Sequence, residues 1–353
     1  MLNFTNNKFI KIMRPPLVYT LIFILIYSCS KPESFNDLPA QQHTLLPGLN
    51  VESSYLKDQL ISFNMIDSEG NNITSSTSFI VDNQLINGNT ISYDELGNHE
   101  VYADYTIDSQ IYSTDLIGFN IVEPINKVVV EDYTGTWCGY CPPVAHAIYE
   151  LKEVYDNIIS VGIHNNDELT IDQESDLRSE LGISGFPSAR LNRTISWLDP
   201  YQISDVNSLL SEENDVAISI NSTLENIELG VDLRIVSNVE LVNHKLVIYL
   251  VESNLIYDQS NYFNYVEDSY FYNLGNPIEN YSHQDVLRKS ITNISGNVLD
   301  IIQPLNDYKF NFNVQINPDF VVENLAIVAI VVDSNNNAIN SQLGAVNSFQ
   351  DFN

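Results

Sequence analysis

The chain has 353 residues, long enough for two or three domains, and its 44% hydrophobic content, with 20 tyrosines and 15 phenylalanines, favours packed cores and sheet. A formal net charge of -31 excludes nucleic acid and anionic headgroups as partners and reads as a device for solubility. Only three cysteines are present, Cys29, Cys138 and Cys141, so thiol chemistry is confined to two places.

Residues 1–28 read as a signal peptide of the lipoprotein kind. Lys8, Lys11 and Arg14 form its positive region, and Leu17 to Tyr27 is an apolar stretch too short for an ordinary transmembrane helix. It ends in Ile26-Tyr27-Ser28-Cys29, which resembles the bacterial lipobox. That resemblance implies cleavage before Cys29 and its lipidation, which would anchor the chain to a membrane outside the cytoplasm, where disulfides persist. Ser30 after the cysteine points to the outer membrane, on the periplasmic or the surface side. Residues 29–45, polar and carrying Pro32 and Pro39, are expected to be a tether.

Residues 46–124 carry short alternating runs split by turn signals. Leu60-Ile61-Ser62-Phe63 precedes Ser68-Glu69-Gly70-Asn71, and His99 to Tyr105 alternates with period two. This spacing predicts an immunoglobulin-like β-sandwich. From residue 125 the pattern changes. Lys127 to Tyr133 is a nearly continuous apolar strand, Val144, Ile148, Leu151 and Tyr155 mark a helix from Pro142, and Ile158 to Ile163 is a second buried strand. A second helix over Asp172 to Leu181, a strand over Ser188 to Asn192, and a helix capped by Asp199-Pro200 and running to Leu210 complete an α/β domain at residues 125–212. Residues 213–353 return to strands, with Ala217–Ile220, Gly230–Val236, Leu246–Glu252, Tyr308–Val314 and Leu325–Val332 as the best candidates. The last is long and apolar and is expected to be central in its sheet. The expected fold class is therefore multidomain: an Ig-like β-sandwich, an α/β domain, and a C-terminal β-sandwich.

The chemistry concentrates at Trp137-Cys138-Gly139-Tyr140-Cys141, which follows a buried strand and precedes a helix. The attacking species in thiol exchange is the thiolate, and a helix N-terminus stabilises a negative sulfur, so Cys138 is expected to attack and Cys141, one turn on, to resolve. Pro142 and Pro143 fall in the first turn, where missing N–H groups cost least, and Trp137 is expected to shield one side of the pair. A lone Cys-x-x-Cys supplies only two of the four ligands of a zinc site, so no metal or other cofactor is expected. His146 reads as a polar-face residue, His164 as a strand-end residue near the site, and His283 and Arg288 as structural polar groups of the C-terminal domain. Asp333-x-Asn335-x-Asn337 opens like a calcium loop but lacks its glycine and terminal glutamate, with Ala338 and Gly344 in those places, and reads as a turn.

Residues Val128–Asn192 resemble a thioredoxin fold. The resemblance implies a cis-proline at Pro187, with the backbone at Phe186 offered to an extended peptide, and a buried carboxylate at Asp132 that takes the proton of the resolving cysteine. Glu131 is the neighbouring acid, on the opposite face of the strand. The sequence departs from the cytosolic thioredoxins in two ways: no lysine follows in the second strand, and Gly139-Tyr140 stands between the cysteines, resembling the dipeptide of periplasmic disulfide isomerases and reductases. The run Glu131 to Pro143, with His283-Gln284-Asp285-Val286-Leu287-Arg288 further on, is similar to the Omp28-related outer-membrane lipoproteins. The implied activity is a membrane-anchored thiol–disulfide oxidoreductase. Cys138, Cys141, Asp132 and Pro187 would be its catalytic residues, Trp137, Gly139, Tyr140 and Phe186 its substrate contacts, and protein disulfides and an unidentified redox partner its partners. The alternative is a binding or assembly lipoprotein that uses the thioredoxin-like domain as a non-catalytic scaffold.

Overall fold

A computed structural model of the chain describes residues 47–352; the expected signal peptide, the tether and Cys29 lie outside the described residues. The N-terminal part is built on β1 (Ser54–Leu56), β2 (Ser78–Val81), β3 (Gln84–Leu85), β4 (Gly97–Ile107), β5 (Gln110–Ser113) and β6 (Ile117–Val122). They form a six-stranded sheet in the order β1-β6-β4-β2-β3, with β5 also on β4. The period-two pattern of β4 turns Val101, Ala103 and Tyr105 onto a core with Phe63, Phe79 and Phe119. Asp82-Asn83 and Asp108-Ser109, all at positive φ, make the two-residue hairpin turns that match strand twist.

The central element is β7 (Val128–Thr134), buried at every residue. It pairs in parallel with β8 (Ile158–His164) through the crossover helix α1 (Pro142–Val154), and antiparallel with β9 (Ser188–Leu191), which pairs with β10 (Ile195–Trp197). Between β8 and β9 runs α2 (Glu174–Glu180), and after β10 comes α3 (Ser204–Leu210). Strand alternation sends Val128 and Val130 onto α1 and α3, while Val129 and Tyr133 face the α2 side with Ile159, Val161 and Leu177. One local expectation is corrected here. Asp199-Pro200 does not cap the last helix: the bond is cis, the pair sits in the preceding turn, and α3 begins only at Ser204.

The C-terminal part supplies β11 (Val216–Glu225), β12 (Glu228–Ser237), β13 (Lys245–Glu252), β14 (Leu255–Gln259), β15 (Ile278–His283), β16 (Val286–Ser290), β17 (Tyr308–Gln315), β18 (Leu325–Val332), β19 (Ala338–Ala345) and β20 (Phe349–Gln350). The sheet of β7 does not stop at residue 212. It continues through β16 in the order β10-β9-β7-β8-β16-β13-β18-β19, with Asn297–Val298 on β13, as one nine-stranded sheet. The apolar β18 lies inside it, between β13 and β19. A second sheet, β17-β12-β11-β20, packs on the β13–β18 face, where Ile218, Leu233 and Ile235 meet Ile248, Leu250 and Ile327. The opposite face of β13 and β18 joins the α2 side of β7 and β8 in one core.

That shared core contains an ion pair. Glu131 and Arg193 are both buried, with Arg193 Nε 3.6 Å from Glu131 Oε1, and the Tyr133 hydroxyl donates to Glu131 Oε2 at 2.8 Å. Burial opposes the charge of Arg193, but Tyr249, Glu131 and Tyr133 around it hold its guanidinium above the usual value. Removing one member leaves the other charge buried and uncompensated. Arg193→Met should therefore lower the stability of the fold by about 3 kcal/mol, read as a fall in the urea midpoint at unchanged slope.

Candidate functional site

Cys138 and Cys141 form a disulfide at the C-terminal end of β7, with Cα atoms 5.4 Å apart. The approach is a pair of tight turns: the Cys138 N–H donates to Gly135 O at 2.9 Å and the Cys141 N–H to Cys138 O at 3.1 Å. The helix starts at Pro142, so Cys141 takes the N-cap position and Cys138 lies in the turn before it. This shifts the expected placement of Cys138 at the helix N-terminus. Pro142 and Pro143 occupy the first helical positions and carry no N–H groups, which leaves few free donors there for a sulfur.

Both cysteines are buried, Cys138 at 4% exposure and Cys141 at 1%. Trp137 is 43% exposed; its indole N–H donates to Asn165 O at 2.6 Å and its ring meets Phe186 edge-on at 5.5 Å. The Phe186–Pro187 bond is cis and opens β9 beside β7. Trp137, next to Cys138, thus touches the residue before the cis-proline.

The cysteine loop is also contacted by a segment that strand patterning did not reveal. Residues 260–277 connect β14 to β15 as a long strap held by its own hydrogen bonds, Asn261 Nδ2 donating to Phe271 O and Gly275 O, each at 2.9 Å. The strap lies along the cysteine loop: the Ser260 N–H donates to Thr136 O at 2.8 Å and the Tyr262 N–H to Gly139 O at 2.9 Å. Gln259 Nε2 donates to Cys138 O at 3.0 Å. The Tyr262 ring lies so close to Gly139 that a Cβ there would come within 2.3 Å of it, and Tyr140 packs edge-on against the same ring at 4.9 Å. Glycine between the cysteines therefore serves a close approach as well as a turn.

Beneath the pair, Asp132 is buried on the α1 face of β7 and its Oδ1 has no hydrogen-bond partner. Burial pushes its carboxyl up to about 7. Glu131 points to the opposite face, into its ion pair, and takes no part in the site. Asp132 and Cys141 line one small cavity of about 40 Å³ together with His164 and His283. Asp132 also lines a larger cleft of about 640 Å³ between α1 and the strap, where His146 stacks on Tyr270 at 4.0 Å. His164 donates from Nδ1 to Asp167 at 2.7 Å. Burial alone would raise Asp167, but the hydrogen bond and charge of His164 outweigh it and hold the carboxyl down at about 2.

His283, Gln259 and Tyr262 were not legible as site residues. They come from beyond residue 212 and reach the cysteines only because β8 and β16 join. The join is close: the Gly162 N–H donates to Asp285 O at 2.8 Å, and a Cβ at Gly162 would stand 3.3 Å from Gln284 O. Asp285 is in turn gripped by Lys152 of α1, Ser160 of β8 and Ser253. Arg288 reaches Glu252 at 3.5 Å and covers the Phe320 ring, a structural role as expected.

The family model for the outer membrane protein Omp28 matches residues 174–350. The chain belongs to the Omp28 family. In this Omp28-family chain the matched segment begins after the cysteine pair and contains Phe186-Pro187, the strap and the His283–Arg288 run. Among curated proteins, human thioredoxin is 32% identical over 63 residues, which is 18% of this chain and 54% of that protein. Thioredoxin H2 of Arabidopsis thaliana is 26% identical over 70 residues, 20% of this chain and 48% of that protein. The chain thus spans about half the length of the thioredoxins it matches. Among solved structures, HBP35 of Porphyromonas gingivalis is similar in fold, with a TM-score of 0.52 at 16% identity, covering 64% of this chain and 76% of that one.

Asp132 binds its proton more tightly when folded, so the protein loses stability as pH rises from about 4, where the unfolded carboxyl ionises, through about 7, where the folded one does. Asp132→Asn should abolish that slope and be the more stable form at pH 8, by at most about 4 kcal/mol in urea titrations. Tyr262→Ala should raise the alkylation rate of reduced Cys138 several-fold by uncovering the loop, and an unchanged rate would show that the strap does not shield that thiol.

Proposed function

We propose that the protein is a membrane-anchored thiol–disulfide oxidoreductase that acts on protein disulfides outside the cytoplasm, through Cys138 and Cys141. The observation that carries this reading is the buried, unpartnered carboxyl of Asp132 in the cavity that Cys141 also lines. An unpartnered polar group in an apolar interior costs stability, and a purely structural disulfide gains nothing from one. A resolving thiol does gain, because its proton needs an acceptor that titrates near neutrality.

In the reduced protein the Cys138 thiolate attacks one sulfur of a substrate disulfide. The substrate S–S bond breaks, its second sulfur leaves as a thiolate and takes up a proton, and Cys138 is left in a mixed disulfide. Cys141 then gives its proton to Asp132 and attacks the Cys138 sulfur, forming the 138–141 bond and releasing the first substrate sulfur. Two electrons pass from the protein dithiol to the substrate, and an extracytoplasmic dithiol donor returns them. Trp137, Tyr140 and Phe186 present the surface for the substrate chain, with the backbone before Pro187 available for strand addition. Gly139-Tyr140 supports the reductive or isomerising direction. The lipobox-like run Ile26-Tyr27-Ser28-Cys29, with membership of an outer membrane protein family, supports an outer-membrane lipoprotein anchored at Cys29 and facing the periplasm or the cell surface.

One observation favours a second reading, a binding or assembly protein with a structural disulfide: Cys138 is 4% exposed, with the strap along its loop. Trapping in the native cell separates the two. With Cys141→Ser, Cys138 should hold substrates as discrete mixed disulfides that are absent from a Cys138→Ser control. A folded, well-expressed Cys141→Ser protein that captures nothing decides for the scaffold.

A further inference from the structure

Asp132 stands opposite Gly162 in the β7–β8 register, and the second strand carries no lysine. The space a side chain would fill at Gly162 is taken by the backbone of Gln284 and Asp285. That backbone delivers His283 to the small cavity beneath the disulfide, with its ring edge-on to His164 at 5.0 Å. Among the described residues, few buried side-chain nitrogen or oxygen atoms lack a hydrogen-bond partner; of the residues that carry them, only Asp132, through Oδ1, and His283, through Nε2, line this cavity.

We infer that His283 is a positioning residue for the proton acceptor Asp132: its Nε2 accepts, through one water in the cavity they share, a hydrogen bond relayed from the protonated carboxyl. This rests on the oxidoreductase reading of the cysteine pair and deepens it. A cavity of about 40 Å³ has room for one water, whose share of liquid volume is roughly 30 Å³. Nε2 of His283 is buried without a partner, and in the neutral imidazole protonated at Nδ1 it carries the free lone pair.

The surrounding groups are consistent with this role. Burial, then the neighbouring His164, lower the His283 imidazole to about 4, so it is neutral when the carboxyl titrates. His164 is committed at Nδ1 to Asp167. Tyr281, pushed up to about 12 by burial and by Asp132, keeps its proton. Gln259 spends its amide on the carbonyls of Gly135 and Cys138. Cys141 is then the proton donor of the resolving step, Asp132 the acceptor, and His283 the group that holds the acceptor's carboxyl in orientation and steadies its acid form. The larger cleft, which Asp132 also lines, is the exit for the proton.

The test uses the described chain, reduced and mixed with the chromogenic aryl disulfide dithiobis(nitrobenzoate). Attack by Cys138 releases one coloured thiolate, and resolution by Cys141 releases a second. In His283→Phe, which keeps ring volume but removes the acceptor, the ratio of the second rate to the first should fall about tenfold, the scale of one lost hydrogen bond to a polar buried group. His283→Gln, which restores an acceptor, should recover most of that loss. In the double variant with Asp132→Asn, His283→Phe should add nothing to the effect of Asp132→Asn alone. A ratio unchanged in His283→Phe, or additive losses in the double variant, overturns the proposal.

A measurement that needs no change at His283 guards against misfolding. The ¹⁵N shift of its Nε2 should show a step near pH 7 in the wild type that is absent from Asp132→Asn; no step in the wild type overturns the coupling. A wild-type protein that releases the first thiolate and never the second sinks the oxidoreductase reading instead, and the nitrogen titration still reports separately on the Asp132–His283 contact.

Discussion

A missing side chain at Gly162 allows the two halves of the main sheet to become one. Parallel strands need close backbone approach, and here β16 meets β8 at a single register position, Gly162 against Val286. A Cβ there would press on the Gln284 carbonyl oxygen at 3.3 Å, and a longer side chain would meet Asp285 and Val286 as well. The contact is narrow in backbone terms, so side chains reinforce it: Asp285 gathers Lys152, Ser160 and Ser253 from three elements. From this join follow the nine-stranded sheet, the shared apolar core on its α2 side, and the delivery of β14, β15 and the strap to the cysteine pair. The C-terminal part therefore contributes residues to the surroundings of the cysteine pair.

Adjacent acids on β7 show how strand geometry assigns opposite fates to similar residues. Glu131 and Asp132 point to opposite faces because strand side chains alternate. Glu131 enters the core shared by the two halves, where Arg193 lies 3.6 Å away and the Tyr133 hydroxyl donates to it. Among the described residues Asp132 makes no ion pair and its Oδ1 has no hydrogen-bond partner, and burial raises its carboxyl to about 7. One acid is compensated and structural; the other is uncompensated, costs stability, and is suited to proton transfer.

The covering strap changes how the cysteine pair meets its surroundings. Its backbone N–H groups at Ser260 and Tyr262 bond the carbonyls of Thr136 and Gly139, and its aromatic rings extend the exposed surface begun by Trp137 and Tyr140. The strap sequence, rich in tyrosine and asparagine, shows neither period two nor period 3.6, so no periodic pattern marks it as ordered structure. Its order comes from asparagine side chains such as Asn261, which bond its own backbone in place of a ladder.

The sequence by itself determined the elements whose signal is local. Continuous apolar runs specified β7, β8 and β18, heptad-like spacing specified α1, and the motif order set Cys-x-x-Cys between strand and helix, with Phe186-Pro187 ahead of β9. Hydrophobic periodicity and turn chemistry act over a few residues, so they can be read along the chain. Where α3 begins, which residue caps α1, and above all that residues 259–283 reach the Cys138 loop and set His283 in one cavity with Asp132, were decided only by the tertiary structure. Those placements depend on pairing between strands more than a hundred residues apart, and a single glycine that permits such an approach looks no different in sequence from a glycine that merely ends a turn.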